Sequence, residues 1–280
     1  MKHTPTILWL WLCICCAPAT AQAPVARAHL FGLGGVRQLD TYLSPLEYRG
    51  PQFLYLNETE RPLTFMGDRV QFQSSLQLDF SLSKPASDKA KYMGAGIGYA
   101  ATFHYRFLGT PPGTLPTDRR SRFTLMAGPQ LAANLGGLYN TRNGNNPAQA
   151  YLGAHLAASV VAGYTFRIRR MPLTLRDQLD VPLLGAMFTP AYGQSYYEIF
   201  SLEHSDHNIR TTHPFNAPSL TNRFTIDLPM LRATMRLTYL VDVRQSDVNS
   251  LRRHAYTHAF MIGWVRNIKL VPPQRYATAR

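Results

Sequence analysis

The stretch from Val70 to Ser83, Val-Gln-Phe-Gln-Ser-Ser-Leu-Gln-Leu-Asp-Phe-Ser-Leu-Ser, decides the fold class of this 280-residue chain. Its even positions are apolar except at Ser74, whereas every odd position is polar. Because alternate side chains of a β-strand point to opposite faces, the pattern predicts a strand with one apolar and one polar face. A run of more than about ten residues is long enough for a tilted strand to cross a bilayer.

The same alternation recurs along the chain. It is strong over 95–107, 152–168, 231–243 and 256–264, and weaker over 122–131, 173–183 and 224–228. Helical spacing fits these segments less well. Bacterial barrels have an even number of strands, and placing the longest loops outside requires two further strands before Asp68, near Ala28–Val36 and Pro51–Asn57. We therefore predict an all-β fold, an antiparallel transmembrane β-barrel of about ten strands, with eight to twelve compatible with the pattern.

The parity of the strands also assigns the connections to the two sides of the membrane. Long extracellular loops are expected at Leu135–Ala148, Thr189–Asn222 and Ser246–Arg253, and tight inner turns at Arg170–Pro172 and Pro229–Met230. Aromatic residues near strand ends are expected in interfacial girdles, at Tyr92, Phe107, Tyr164, Phe166 and Trp264. A soluble β-sandwich is the alternative, but its strands are usually only about five or six residues long.

The first residues predict an exported protein. A basic start, an apolar run and the Ala19-Thr20-Ala21 motif are typical of a cleaved signal peptide, giving residues 1–21 as signal and 22–280 as one barrel domain. The three cysteines, Cys13, Cys15 and Cys16, lie within this signal, so the mature chain is expected to have no thiol. A lipid anchor at Cys16 is the competing interpretation of this segment.

The formal net charge of +13 indicates an anionic partner. Export argues against nucleic acid, so outer-membrane lipids and the phosphates of lipopolysaccharide are the expected partners. The outer-membrane assembly machinery is expected to act during biogenesis. The segment His204-Ser205-Asp206-His207 contains residue types that bind metals, but these residues are also common in solvated loops, so we expect no metal ion and no cofactor.

If the polar face of the strands lines the lumen, a set of charged side chains and one histidine lies inside the barrel. They are Asp79, His104, Arg106, Arg167, Arg176, Asp180, Asp227, Arg232, Arg236 and Asp242. A barrel of about ten strands is too narrow for a wide aqueous channel, so these charges must be paired. A plugged interior is one interpretation, and a selective anion path or a site for an acidic ligand is the other.

The long predicted loop contains a second candidate site. Its candidate residues are Tyr192, Ser195, Tyr196, Tyr197, Glu198, His204 and His207. A lipid hydrolase or acyltransferase would use Ser195 or Ser205 with His204, His207 or His213 as the base. An ordered loop that folds over the barrel mouth, with tyrosines at the interface, explains the same residues without catalysis.

Four phrases carry a resemblance to a known family: Asp40–Gly50, Asn143–Ala148, Tyr192–Phe200 and Arg244–Asn249. Together they resemble an uncharacterised outer-membrane β-barrel family, a domain of unknown function found in gut-type Gram-negative bacteria. The resemblance implies an outer-membrane location and supplies no catalytic residues. We therefore expect a non-enzymatic role, as an envelope protein, a narrow pore or a binder of lipid or ligand, with the lipid-modifying enzyme and a soluble periplasmic protein as alternatives.

Overall fold

The computed structural model of the chain describes residues 25–63, 66, 69–87, 90–109, 122–144, 146–168, 171–230 and 233–268. The predicted signal sequence and Arg232 therefore lie outside the described residues. No helix in these ranges is long and apolar enough to cross a membrane.

Eleven strands and one five-residue helix are assigned in the described residues. They are β1 (Val25–Asp40), β2 (Ser44–Leu63), β3 (Val70–Pro85), β4 (Tyr92–Leu108), β5 (Arg122–Asn140), β6 (Ala148–Ile168), β7 (Met171–Phe188), α1 (Tyr196–Phe200), β8 (Ile209–Thr212), β9 (Leu220–Met230), β10 (Ala233–Val248) and β11 (Leu251–Ile268).

Ten of the strands close into a barrel. Strands β1 to β7 pair antiparallel in sequence order, β7 pairs with β9, and β9 to β11 continue the ring. The ring closes because β11 pairs with β1 along their whole length, from Val25 opposite Ile268 to Asp40 opposite Arg253. Strand β8 pairs only with the last residues of β7. The predicted closed antiparallel barrel of about ten strands is thus confirmed.

The two ends of the barrel differ. One end, which we call the terminal end, contains the start of β1 and the end of β11. The other, the loop end, contains the connections after β1, β3, β5, β7 and β10, including the long segment 189–219 with α1 and β8.

The two faces of the barrel wall follow the alternation in the sequence. In β3, Gln71 and Gln73 are buried inside the barrel, whereas Leu78, Phe80 and Leu82 are exposed on its outside. Large apolar side chains are exposed on the outside of most of the other ring strands as well, which is the arrangement that a lipid environment favours.

The prediction of a long extracellular loop over Ser246–Arg253 is wrong. Strands β10 and β11 continue to pair as far as Val248 opposite Leu251, so only Asn249 and Ser250 form the turn. Both turn residues have positive φ, 55° and 60°, as the favoured two-residue hairpin turn requires.

Other predicted boundaries also shift. Strand β5 runs to Asn140 and β9 starts at Leu220, which shortens the predicted loops Leu135–Ala148 and Thr189–Asn222. The predicted inner turns lie partly in strands, since β9 includes Pro229–Met230 and β7 begins at Met171. Tyr92 is not in a girdle, because it lies on the inward face of β4 and is fully buried.

One close approach between strands gives a prediction about barrel closure. A Cβ atom on Gly263 of β11 would lie 1.8 Å from the carbonyl oxygen of His29 on β1, whereas one on Gly98 would meet nothing closer than 4.0 Å. We expect Gly263→Ala to force β1 and β11 apart and to destabilise the folded barrel by about 1–3 kcal/mol. Gly98→Ala is the matched control and should be neutral. Samples are heated to a series of temperatures and run on a gel, on which the folded and the unfolded barrel migrate differently. The temperature at which the folded band disappears should be lower for Gly263→Ala, and equal temperatures for the two variants would contradict the prediction.

Candidate functional site

A network of buried ion pairs crosses the lumen; we call it the floor network. It consists of Glu58, Glu60, Arg176, Asp180, Arg223, Asp227 and Arg236. The two glutamates come from β2, and their partners come from β7, β9 and β10. Strands β2 and β7 are opposite each other in the ring, with four strands between them on either side. The Glu60–Arg176 pair therefore connects opposite walls of the barrel.

Arg236 and Arg223 hold most of the network together. The Arg236 guanidinium donates to both carboxylate oxygens of Asp227, at 2.7 and 2.8 Å, and also to Glu58 at 2.9 Å. Arg223 donates to Glu58 at 2.9 Å and to Asp180 at 2.7 Å. Both arginines are almost completely buried, so these bonds replace the water that the charges lose.

A polar layer beside the floor network completes the contacts across the lumen. Gln73 of β3 and Gln178 of β7 exchange two hydrogen bonds of 3.1 Å. Ser159 donates to Asp180 at 2.5 Å, and His104 Nε2 lies 2.8 Å from the Ser159 oxygen. Ionised Asp180 can only accept, so the single hydroxyl proton of Ser159 points to it and His104 must donate. His104 therefore does not act as a base toward Ser159 in this arrangement.

The interior is not polar throughout, in contrast to the prediction of a polar lumen. A buried apolar cluster fills the side formed by β1, β2, β10 and β11. Its members are Ala28, Leu30, Leu54, Leu56, Leu240, Ala259 and Met261. The sequence signal for this cluster is a leucine on the otherwise polar face of a strand. Leu240 is an example, because it lies between Thr238 and Asp242 on the inward face of β10.

On the loop-end side of the floor network lies a cavity of about 200 Å³, which we call the chamber. Small residues such as Gly98, Ala100 and Ala132 leave the space, because their side chains do not reach into the lumen. Its charged lining is supplied by Asp180, Arg223, Asp242, Arg244 and Arg253. A smaller cavity of about 60 Å³ adjoins it and is lined by Asp79 and other polar residues.

The charges of the chamber are mostly paired. Arg244 lies 2.7 Å from Asp242, which also accepts from Thr221 at 3.2 Å. The Arg253 guanidinium lies 3.2 Å from the centre of the Tyr151 ring. The buried Nε of Arg223, in contrast, has no hydrogen-bond partner among the described residues. A donor in this state favours a ligand or water that offers an acceptor oxygen.

At the loop end, aromatic residues cover part of the lumen. The cluster contains Leu43, Tyr48, Tyr92, Leu138 and Tyr151, and the rings of Tyr48 and Tyr92 stack at 3.5 Å. The chamber therefore lies between the floor network and this mouth cluster, with Thr212, Ser219 and Ser246 at its edge toward the long loop.

The structure brings together only part of the predicted lumen set. Arg176, Asp180, Asp227 and Arg236 share the floor network with His104 near it. Asp79 and Asp242 lie farther toward the loop end, beside the two cavities. Arg106 is half-buried near the terminal end of β4, and Arg167 is exposed at the terminal end of β6. Arg232 lies outside the described residues.

Three central residues were not predicted: Glu58, Glu60 and Arg223. The even positions of β2 change from leucine at 54 and 56 to glutamate at 58 and 60, which hides the alternation although all four side chains face inward. Arg223 lies next to the predicted limit of the long loop. A predicted strand that began a few residues earlier than position 224 would have included Arg223 and placed its side chain in the lumen.

The predicted loop site is an ordered corner of the structure. Ser195 caps α1: its hydroxyl accepts from the Glu198 backbone N–H at 3.2 Å and donates to the Glu198 carboxylate at 2.9 Å. Hydrogen bonds from the Ser195 backbone and hydroxyl lower the pKa of Glu198. Tyr196 bonds to β6 and burial raises its pKa, whereas Tyr192 and Tyr197 are exposed.

The proposed serine–histidine pairs do not form. The Ser195 hydroxyl is used by Glu198, and within the described part of the chain no hydrogen bond joins His204, His207 or His213 to a serine hydroxyl. The arrangement is that of a helix cap.

A closed barrel with an apolar outer face and a charged interior defines the class of outer-membrane β-barrel proteins. The chain belongs to the family described as protein of unknown function (DUF3316), whose model matches residues 10–275. No curated protein matches the chain.

Solved structures with a similar fold have low sequence identity. The outer membrane protease OmpT from Escherichia coli has a TM-score of 0.45 at 7% identity, covering 90% of this chain and 99% of that one. The transport unit of the autotransporter AIDA-I from Escherichia coli has 0.44 at 8%, covering 89% and 92%. The translocator domain of autotransporter NalP from Neisseria meningitidis has 0.38 at 11%, covering 90% of both.

The floor network gives a prediction about stability. Arg236→Ala removes the guanidinium that pairs with Asp227 and one of the two that pair with Glu58, so we expect the free energy of unfolding to fall by about 3–5 kcal/mol. Arg252→Ala, which breaks an exposed pair with Asp247, is the control and should change it by less than about 1 kcal/mol. Urea unfolding from lipid vesicles, followed by Trp264 fluorescence, measures both. Equal effects of the two substitutions would show that the network does not stabilise the barrel.

Proposed function

We propose that this protein is an integral outer-membrane barrel that is closed to flux and presents a polar, ligand-binding chamber to the outside of the cell. The observation that carries the proposal is the floor network, whose ion pairs connect opposite walls of the lumen. A binder needs a chamber with one entrance, whereas a channel needs a continuous aqueous path.

The connections support the orientation. In bacterial barrels the longer loops are extracellular and the short turns periplasmic. The longest described connection, 189–219, lies at the loop end, as does the chamber. We therefore assign the loop end to the cell exterior and the terminal end to the periplasm.

The same orientation defines the partners that we propose. Exposed arginines at the loop end, Arg37, Arg49 and Arg252, suit the phosphates of lipopolysaccharide and outer-membrane lipid headgroups. Export by a cleaved signal peptide and insertion by the outer-membrane assembly machinery belong to the same proposal.

The alternatives have less support. A soluble periplasmic protein would not cover its outside with residues such as Leu33 and Phe260, which are 71% and 75% exposed. A lipid hydrolase would need a hydroxyl activated by a base, and Ser195 instead caps a helix. A narrow pore would need the floor network to open.

Planar-bilayer recording tests the closed lumen. We expect the wild-type protein to show no single-channel steps above the leak. Glu58→Ser combined with Arg223→Ser and Arg236→Ser removes side chains from the floor network and should produce small steps, provided that gel migration shows a folded barrel. Regular steps from the wild-type protein would refute the proposal, and a folded but silent triple variant would show that other residues close the lumen.

A further inference from the structure

The outward face of the loop end is not the same around the barrel. On β1 and β2 it is charged: Glu47 pairs with Arg37 at 2.6 Å and with Arg49 at 2.9 Å. Charged side chains mark the level at which a barrel wall leaves the hydrocarbon region, because they are costly within it. On this side the apolar band therefore ends below the last residues of the strands.

On β6 and β7 the outward face stays apolar to the end of the pairing. Leu152 lies opposite Phe188, the last residue of β7, and Leu184 lies on the same face four residues earlier in β7, opposite Leu156. Leu152 and Leu184 are more than half exposed. The chain then continues the apolar surface, because the Phe200 ring of α1 stacks on Phe188 at 6.3 Å.

The segment that carries Phe200 is fixed to the outer rim of the barrel. The Tyr196 hydroxyl accepts from the Ala150 backbone N–H at 2.7 Å and donates to Gln149 at 3.0 Å. Ala150 lies beyond the residues of β6 that pair with β7, so Tyr196 satisfies a strand-edge N–H that β7 does not reach. Tyr42 donates to the Gln194 carbonyl at 3.0 Å on the other side of the segment.

The polar contacts of this segment face the barrel and Ile199 is buried, whereas two other apolar side chains lie on its exposed side. Phe200 is 69% exposed, and Ile209 of β8, which lies opposite Phe188, is 76% exposed. A fixed apolar surface that continues the lipid-facing band of β6 and β7 fits acyl chains better than water.

We propose that α1 and β8 form a lipid-contacting rim, in which Phe200 and Ile209 insert between the acyl chains of the leaflet at the loop end. The rim fastens the entrance region of the chamber to the membrane on the β6–β7 side. This inference rests on the proposed membrane insertion, and its occupant is lipid, not a second protein.

Fluorescence quenching by brominated lipids tests the rim. The protein is purified from the outer membrane and reconstituted in vesicles of phosphatidylcholine with shallow-brominated acyl chains. Two variants are compared: Trp264→Phe alone, and Trp264→Phe combined with Phe200→Trp. Subtracting the emission of the first from that of the second leaves the emission of the tryptophan at position 200. We expect shallow bromines to reduce that emission by about half, and deep bromines to reduce it less.

Phe215→Trp is the matched control. Phe215 is 96% exposed and lies in a turn away from the apolar band. This turn is held to β10, because the Asp247 N–H donates to the Asn216 carbonyl. Its emission should be nearly unaffected by bromine. Unchanged gel migration establishes that each variant is folded.

The outcomes separate the rim from the membrane proposal. Quenching of native Trp264 in the unsubstituted protein, with no quenching at position 200, would overturn the rim while leaving the membrane barrel intact. Absence of quenching at Trp264 would overturn membrane insertion itself. Equal quenching at positions 200 and 215 would mean that the whole loop contacts lipid, which contradicts a specific rim.

Discussion

The structure depends on the pairing of β1 with β11. In a bilayer each backbone N–H and C=O must find a partner within the protein, so a sheet with free edges is excluded. The first and last strands pair from Val25 to Asp40 and remove both edges at once. Once the ring is closed, the alternation in each strand fixes which side chains contact lipid and which face the lumen.

A ring of ten strands leaves a lumen that side chains must fill. This protein fills two regions of the lumen and leaves a third open. Leucines and Met261 pack on the side of β1, β2, β10 and β11. Carboxylates and guanidiniums meet across the middle, where burial without a partner would be costly. Glycines and alanines of β4 to β6 leave the chamber open toward the loop end. The division of the lumen thus follows from residue size and charge at inward positions.

Much of the barrel could be predicted from the period of the sequence, because alternation is a local property. The stretch from Val70 to Ser83 forms β3 with the predicted faces. The floor network was only partly predictable. Arg176 and Arg236 follow the alternation, but which carboxylate each one meets depends on strands far away in sequence. Glu58 and Glu60 were missed because the inward face of β2 changes from apolar to acidic within a few residues.

The central claim is a membrane barrel whose chamber opens to the outside above a closed floor. Labelling of single cysteines in intact cells tests it most directly, by a maleimide that a slender flexible linker joins to a polymer too large to cross the outer membrane. Asn134 lines the chamber, and Thr165 lies on the inward face of β6 at the terminal end. We predict that Asn134→Cys is labelled in intact cells and that Thr165→Cys is labelled only after the cells are opened. Labelling of Thr165→Cys in intact cells, or protection of Asn134→Cys, would contradict the account.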